Sequence, residues 1–375
     1  MRLKTGTTSR ARTLLAGAAG ALALAACATG GSMGGTAPMA ASGPQGQPGI
    51  PASGVRADPQ NQAILDALTK TLMMRPYHTL EPQDARAQPS FADGVKEVLR
   101  QQGRPTTPPP GVTARDIQVR GAAGPLHAKL YTPDGAAGPL PIIVYFHGGG
   151  WVVANSEVYD ASTRALAREA QAVVVSVDYR LAPEAKFPAQ HDDSLAAYRW
   201  VLANARSIGG DPTRVALAGE SAGGNLAVAT AIAARDAGLQ RPLHVLAVYP
   251  IAGSDTNTPS YRENANAMPL NRAAMNWFFY HTLRSPADAM DPRINLVTAN
   301  LRGLPPMTIV AAQIDPLRSE GELLTAKLRA AGVDVARQEF PAVTHEVFGA
   351  DAVIAEAAAA QRFAGERLRQ AFARR

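Results

Sequence analysis

The chain has 375 residues, 46% of them hydrophobic, so it can bury a large core and suits one α/β domain with additions or two small domains. Its formal net charge is +6, but Arg2, Lys4, Arg10 and Arg12 precede every acidic residue, and without these four charges it would be +2. Because no basic stripe is interleaved with aromatic residues, we expect no nucleic-acid partner.

Residues 1–26 combine a basic start with an apolar stretch that is too short and too interrupted by glycine for a stable membrane span. The stretch ends at Leu24-Ala25-Ala26-Cys27, which resembles the lipobox of bacterial lipoprotein signal peptides and contains the only cysteine. We therefore expect a lipoprotein-type signal peptide over 1–26 and a lipid anchor at Cys27 in the cell envelope. Ala28 stands where an inner-membrane retention signal has aspartate, which favours the outer membrane, facing the periplasm. The alternative is an ordinary secretory signal and a soluble periplasmic or secreted protein.

Residues 27–59 are rich in Gly, Ala, Pro, Ser and Met and lack hydrophobic periodicity, which predicts a flexible tether. We expect the folded domain to cover 60–375. Apolar residues at helical spacing predict its first helix over 64–72, with Asn61 as the start signal, and a second over 91–101.

From Ile117 onward, predicted strands alternate with predicted helices. The strands are expected at 117–119, 126–131, 142–146, 172–177, 215–218, 245–249, 307–311 and 333–340, and the helices at 161–170, 195–202, 222–234, 319–331 and 350–372. This alternation predicts an α/β fold: a mostly parallel sheet with helices on both faces and with reactive loops at the carboxyl ends of the strands.

The interval between Tyr249 and Met307 contains no clear strand. An insertion at the carboxyl end of a strand is expected to lie over the site as a lid. Its aromatic run, residues 277–280, is interpreted as the core of that lid in preference to a substrate contact.

Residues 219–223 (Gly-Glu-Ser-Ala-Gly) follow a predicted strand and precede a predicted helix. This is the context of a G-x-S-x-G nucleophile elbow, so Ser221 is the candidate nucleophile, and an ordinary glycine-rich turn is the alternative. In hydrolases with this turn, an acid and then a histidine follow the serine. His345 is the candidate base. Asp315, at the end of a predicted strand, is the candidate acid. Because Asp315 precedes Pro316, it also suits helix capping.

A second loop, residues 147–150 (His-Gly-Gly-Gly), follows the predicted strand 142–146. Glycines let backbone N–H groups approach a carbonyl oxygen, and each oxyanion donor contributes about 3 kcal/mol of transition-state stabilisation. The alternative, a phosphate-binding loop, lacks the G-x-x-x-x-G-K-[ST] pattern. His147 itself is interpreted as a residue that fixes the loop.

The motifs at 147–151, 178–184, 219–224 and 315–318, together with His345, resemble the hormone-sensitive-lipase-like group of α/β-hydrolases, the bacterial class IV esterases. The resemblance begins at about residue 60 and implies an α/β-hydrolase fold with a helical cap built from about 60–104 and 253–305. It implies a triad of Ser221, Asp315 and His345 and oxyanion donors Gly149, Gly150 and Ala222. We interpret Arg180 and Glu184 as structural pairing at their turn in preference to catalytic residues.

Two residues depart from the family pattern. Glu220 stands where the group usually has Asp, so the family pattern does not predict the hydrogen bonds beside the candidate nucleophile. Glu346 stands where Gly is more usual, so that a carboxylate is expected to border the site and disfavour anionic substrates.

The resulting hypothesis is a serine carboxylesterase that hydrolyses short- to medium-chain acyl esters through an acyl-enzyme. No cofactor or metal is expected, since H-E-x-x-H is absent and His191-Asp192-Asp193 is interpreted as a helix start. The alternatives are hydrolysis of amides, lactones or carbohydrate acetyl groups, a non-catalytic relative that keeps the fold as a ligand pocket, and a structural envelope lipoprotein. The sequence makes no prediction about oligomeric state.

Overall fold

The computed structural model describes residues 54–374. The predicted signal peptide, Cys27 and most of the predicted tether lie outside these residues. No helix within 54–374 combines the length and the apolar character needed to span a membrane.

Eight strands form one sheet. They are β1 (Val112–Arg120), β2 (Pro125–Pro133), β3 (Leu140–Phe146), β4 (Val173–Val177), β5 (Gly210–Glu220), β6 (Val245–Val248), β7 (Met307–Ile314) and β8 (Val335–Thr344). Their order across the sheet is β1-β2-β4-β3-β5-β6-β7-β8. Only the pairs β1–β2 and β2–β4 are antiparallel, so the expected mostly parallel sheet is confirmed.

Three helices precede the sheet, and the others alternate with the strands from β3 onward. The helices are α1 (Pro59–Asp66), α2 (Pro82–Ala87), α3 (Phe91–Gln101), α4 (Asp160–Ala170), α5 (Ala189–Asn204), α6 (Ala222–Asp236), α7 (Pro259–Glu263), α8 (Arg272–Thr282), α9 (Arg318–Ala330) and α10 (Ala355–Ala373). Two hydrophobic cores result, one on each face of the sheet. Along β3, Ile142 and Val144 enter the core that contains α5 and α6, whereas Ile143 and Tyr145 enter the core that contains α4 and α10. Successive side chains of a strand point to opposite faces, and both faces here are covered, which explains the continuous apolar run.

Several predicted boundaries were wrong, including those of α1, β8 and α10. Helix α1 is capped by Asp58, whose carboxylate accepts from the backbone of Gln60 and Asn61, so Asn61 is not the start signal. Strand β8 continues beyond residue 340 to Thr344, because it is an edge strand paired only with β7, where the missing N–H of Pro341 is tolerated. Helix α10 begins at Ala355, after a short 3₁₀ turn.

The insertion between β6 and β7 is helical, with α7, α8 and two 3₁₀ turns and no strand among its described residues. It contacts the N-terminal helical segment. The indole Nε1 of Trp277 donates to the carbonyl of Leu80 at 3.0 Å, and the rings of Tyr77 and Phe278 lie 5.3 Å apart between centroids. Two segments that are distant along the chain therefore pack together at the carboxyl end of the sheet.

Candidate active site

Ser221 lies at the sharp turn between β5 and α6. Its φ of +57° is the strained, left-handed conformation of a nucleophile elbow, and its backbone N–H donates to Val248 O at 2.9 Å. The turn requires glycine at position 223, where an added Cβ would lie 1.9 Å from the carbonyl oxygen of Phe146. The small residues of the motif thus let β5 and α6 approach closely enough to present the hydroxyl of Ser221.

The three residues expected to form a triad meet at the carboxyl ends of β5, β7 and β8. His345 Nε2 lies 2.9 Å from Ser221 Oγ, and His345 Nδ1 lies 2.8 Å from Asp315 Oδ2. All three are buried. Asp315 uses its other oxygen, Oδ1, to accept from the backbone N–H of Leu317 at 2.8 Å, so it holds the histidine and caps the following turn at once. The side chain of Asp315 thus contacts the histidine and stabilises the turn before α9, whose N-cap residue is Leu317.

Burial lowers the pKa of His345, but the charges of Asp315, Glu346 and Glu220 and the Asp315 hydrogen bond outweigh it, so that pKa is raised above its usual value. An imidazole in this environment holds a transferred proton more readily than one buried among apolar groups. The arrangement can take a proton from Ser221 and return it to a leaving group.

The glycine loop after β3 brings two further candidates beside the serine. Gly149 and Gly150 have φ of +93° and +58°, and no acceptor within residues 54–374 takes their backbone N–H groups. His147 fixes the loop, as expected: its ring lies nearly parallel to that of Tyr179 at 4.3 Å, and the hydroxyl of Tyr179 donates to its carbonyl at 2.9 Å. Ala222 is the first residue of α6, whose N–H has no acceptor within the helix.

Comparisons with known proteins identify the family. The family of α/β-hydrolase-fold proteins matches residues 143–349, more than half of the chain. The chain belongs to this family. The hydrolase is 40% identical over 264 residues to carboxylesterase NlhH of Mycobacterium tuberculosis. The aligned region covers 68% of this chain and 82% of that protein.

Two other relatives extend the likeness. Ethyl acetate hydrolase of Pseudomonas putida is 32% identical over 75% of this chain and 88% of its own. The hyperthermophilic esterase from Pyrobaculum calidifontis superposes with a TM-score of 0.75 at 32% identity, covering 84% of this chain and 98% of that one. By these comparisons the hydrolase is an enzyme of the carboxylic ester hydrolase class, and the predicted α/β-hydrolase fold is confirmed.

Glu220, directly before Ser221, is enclosed by tyrosines. Tyr145 and Tyr249 each donate a hydroxyl to one of its carboxyl oxygens, both at 2.5 Å. Burial raises the pKa of Glu220 to about 7, although the two tyrosine hydrogen bonds act in the opposite direction. The sequence showed the departure at this position but not its partners, because β3, β5 and β6 meet only in the folded hydrolase.

Glu346, directly after His345, borders the cavity. Its Oε2 accepts from the hydroxyl of Tyr159 at 2.7 Å, and its Oε1 lies 3.9 Å from His345 Nε2. Burial raises its pKa, whereas His345 and Tyr159 act to lower it. The carboxylate expected from the sequence thus lies within reach of the reacting groups.

A cavity of about 320 Å³ opens beside Ser221. Its walls come from both segments predicted to form a cap, including Tyr77 and Phe91 from one and Pro269 and Phe278 from the other. Three residues of the aromatic run, Trp277, Phe278 and Phe279, are buried, and Phe278 also faces the cavity. Tyr280, at 76% exposure, does neither.

Arg180 and Glu184 are paired, but not with each other. Arg180 binds Asp193, which is on α5, through two hydrogen bonds from its guanidinium, and Glu184 accepts two from Arg86, on α2. These two residues thus connect the turn to two different helices. Their partners are distant along the chain, so the sequence near the turn does not reveal them. His191 and Asp192 do lie in the first turn of α5. Within residues 54–374, no group of three or more His, Cys, Asp or Glu side chains is placed to hold a metal ion.

Proposed function

We propose that this hydrolase is a serine carboxylesterase in which Ser221 is the nucleophile, His345 the general base and Asp315 the acid that orients it. The observation that carries the proposal is the unbroken chain of hydrogen bonds from Asp315 through His345 to Ser221, at 2.8 and 2.9 Å. A serine hydroxyl needs an adjacent base to become nucleophilic, and the base needs a third group to set its tautomer.

In the proposed mechanism, Ser221 Oγ attacks the ester carbonyl while its proton passes to His345 Nε2. Asp315 accepts from the Nδ1 hydrogen and stabilises the imidazolium. The backbone N–H groups of Gly149, Gly150 and Ala222 receive the oxyanion, at about 3 kcal/mol for each donor. The alcohol leaves with the proton from Nε2, and water, activated by His345, then hydrolyses the acyl-enzyme.

We propose esters of short to medium acyl chains as substrates. The cavity of about 320 Å³ is small, and Phe278 forms part of its wall. The relative named for ethyl acetate acts on a small ester, which supports the same size class here. The segments 60–104 and 253–305 would serve as the cap that excludes water from the acyl pocket.

The proposed location is the cell envelope, with the protein held by a lipid on Cys27 after cleavage of residues 1–26. The support for it is the lipobox-like segment alone. Cys27→Ser should move the protein from the detergent phase to the aqueous phase in a detergent partition. A variant that stayed in the detergent phase would contradict a lipid anchor at Cys27.

The catalytic proposal is tested with p-nitrophenyl esters from acetate to laurate and a fluorophosphonate probe. We expect turnover to be fastest for short and medium chains, and the probe to label the peptide that contains Ser221. Labelling of a different residue, or no turnover by folded protein, would overturn the proposal. Rates that rise towards laurate would instead indicate a lipase.

A further inference from the structure

The carboxylate of Glu346 is part of the cavity wall, and its side chain is 22% exposed. Oε2 is held by Tyr159, while Oε1 lies 3.9 Å from His345 Nε2, which is itself 2.9 Å from Ser221 Oγ. Oε1 is therefore within about 7 Å of the reacting oxygen, the two distances added, a range at which two charges interact appreciably in a partly buried site.

Among residues 54–374, no lysine or arginine forms an ion pair with this carboxylate. Its only ion-pair contact within residues 54–374 is with His345. Arg86 also lines the cavity, but its guanidinium donates to Glu184 and to the carbonyls of Val152 and Ala182. The carboxylate of Glu346 is thus available to interact with a positively charged group of a ligand in the cavity.

The other carboxylates of the cavity wall are occupied. Glu220 is fully buried between two tyrosine hydroxyls, and Asp93 caps α3 by accepting from the backbone and hydroxyl of Ser90. Among the acids that line the cavity, Glu346 therefore has the oxygen best placed to contact a substrate.

The backbone at Glu346 is left-handed, with φ of +71°. Glycine adopts this conformation without strain, whereas a residue with a Cβ is destabilised there. The chain has a glutamate at a position whose backbone conformation favours glycine. Residues held in strained backbone conformations cluster at active sites and ligand-binding sites.

We propose that Glu346 is a specificity residue that favours esters bearing a positively charged group, such as a quaternary ammonium, near the scissile bond. A cation in the cavity would lie against Oε1, and an anionic ester would be repelled. The proposal rests on the proposed esterase function. Because the contact is electrostatic, the preference should weaken as salt is added.

The test compares esters that have the same shape and differ in charge. On the alcohol side, butyrylcholine is compared with 3,3-dimethylbutyl butyrate, in which carbon replaces the quaternary nitrogen. On the acyl side, the p-nitrophenyl esters of 4-(trimethylammonio)butyrate and 5,5-dimethylhexanoate form the corresponding pair. The quantity measured is the ratio of kcat/KM for the cationic ester to that for its neutral partner. It is measured at about pH 8, well above the usual pKa of a carboxyl group, because burial raises the pKa of Glu346.

We expect the ratio in at least one pair to fall about tenfold in Glu346→Gln, since the charge is lost and the shape kept. Glu346→Gly, which relieves the left-handed strain, should lower the same ratio, so a folding defect cannot explain both results. Glu157→Gln is the matched control: it removes a carboxylate that is 64% exposed and lies outside the cavity wall, and should leave the ratio unchanged.

The outcomes separate the two proposals. Equal ratios in the native protein and Glu346→Gln for both pairs overturn the specificity role, as does turnover of p-nitrophenyl butyrate with neither cationic ester hydrolysed. No turnover of any ester by folded protein overturns the esterase function itself. Because each ratio is internal to one preparation, the amount of active protein and any general effect on His345 cancel.

Discussion

The ring of Tyr249 lies against the ring of His345, with the two centroids 4.4 Å apart. The hydroxyl of the same tyrosine donates to Glu220 at 2.5 Å and accepts from the backbone N–H of Phe348 at 3.3 Å. A carboxyl group next to the nucleophile in sequence thus holds the aromatic side chain that packs on the candidate base.

Glu220 should make stability depend on pH. Its pKa is raised from 4.5 to about 7 by burial, so between these values the unfolded chain releases the proton while the folded protein retains it. The free energy of unfolding should therefore fall as pH rises through this window. As pH rises through this window, the free energy of unfolding of the native protein should fall by on the order of 3 kcal/mol relative to that of Glu220→Gln, which cannot ionise at this position.

Denaturant unfolding at about pH 5 and about pH 8 measures this difference, with Glu157→Gln as a control for a surface carboxylate. A difference between native protein and Glu220→Gln that did not change with pH would contradict an uncharged, buried Glu220 at the lower pH.

Ser221→Ala should abolish esterase activity and leave the fold intact. Removal of a triad nucleophile lowers kcat by more than about 10⁴-fold, because no other group replaces it. The measurement is kcat for p-nitrophenyl butyrate, with circular dichroism to verify folding. Residual turnover within tenfold of the native protein would exclude Ser221 as the nucleophile.

Gly149→Ala should impair the oxyanion loop more than substrate binding. The added Cβ would lie 2.2 Å from the carbonyl oxygen of Val153, at a residue with φ of +93°, so the loop must shift. Misplacing a donor costs about 10²–10³-fold in kcat. A loss confined to KM would show that the N–H groups of this loop do not act on the transition state.

Phe278→Ala should move the chain-length preference towards longer acyl groups, because its ring faces the cavity. Phe279→Ala is the matched control: that ring is also buried and packs near Trp151 at 6.3 Å, but it lies outside the cavity wall. Both variants should lose about 3–5 kcal/mol of stability, as buried Phe→Ala changes do. Only the first should raise the octanoate-to-butyrate ratio of kcat/KM, by several-fold; equal changes in both would assign the effect to the loosened core.

Glu346→Gln should move the acidic limb of the kcat/KM profile to lower pH. The groups that face His345 are Asp315, Glu346, Glu220 and the ring of Tyr249, and the first three favour its charged form. Loss of one negative charge makes the imidazolium less stable, so the pKa of His345 falls and the base remains available at lower pH. A limb that stayed in place, or moved upward, would show that Glu346 does not act on the base.

Much of the fold was predictable because its signals are local. Strands buried on both faces are continuous apolar runs, and the glycines around Ser221 suit only a tight turn. The same logic placed Asp315 and His345 at strand ends, where side chains from parallel strands converge. The boundaries that failed depended on neighbours: β8 extends through Pro341 because it lies at the sheet edge, which only the strand order reveals.

The sequence by itself determined the fold class and predicted the nucleophile elbow and the order of serine, acid and histidine, because these depend on residue type and on position relative to the predicted strands. Only the tertiary structure decided which distant groups meet: Tyr249 with Glu220, Arg180 with Asp193, and Phe278 with the cavity. Such contacts depend on how sheet and helices pack across long separations in the chain, where many partners are chemically equivalent and geometry alone selects among them.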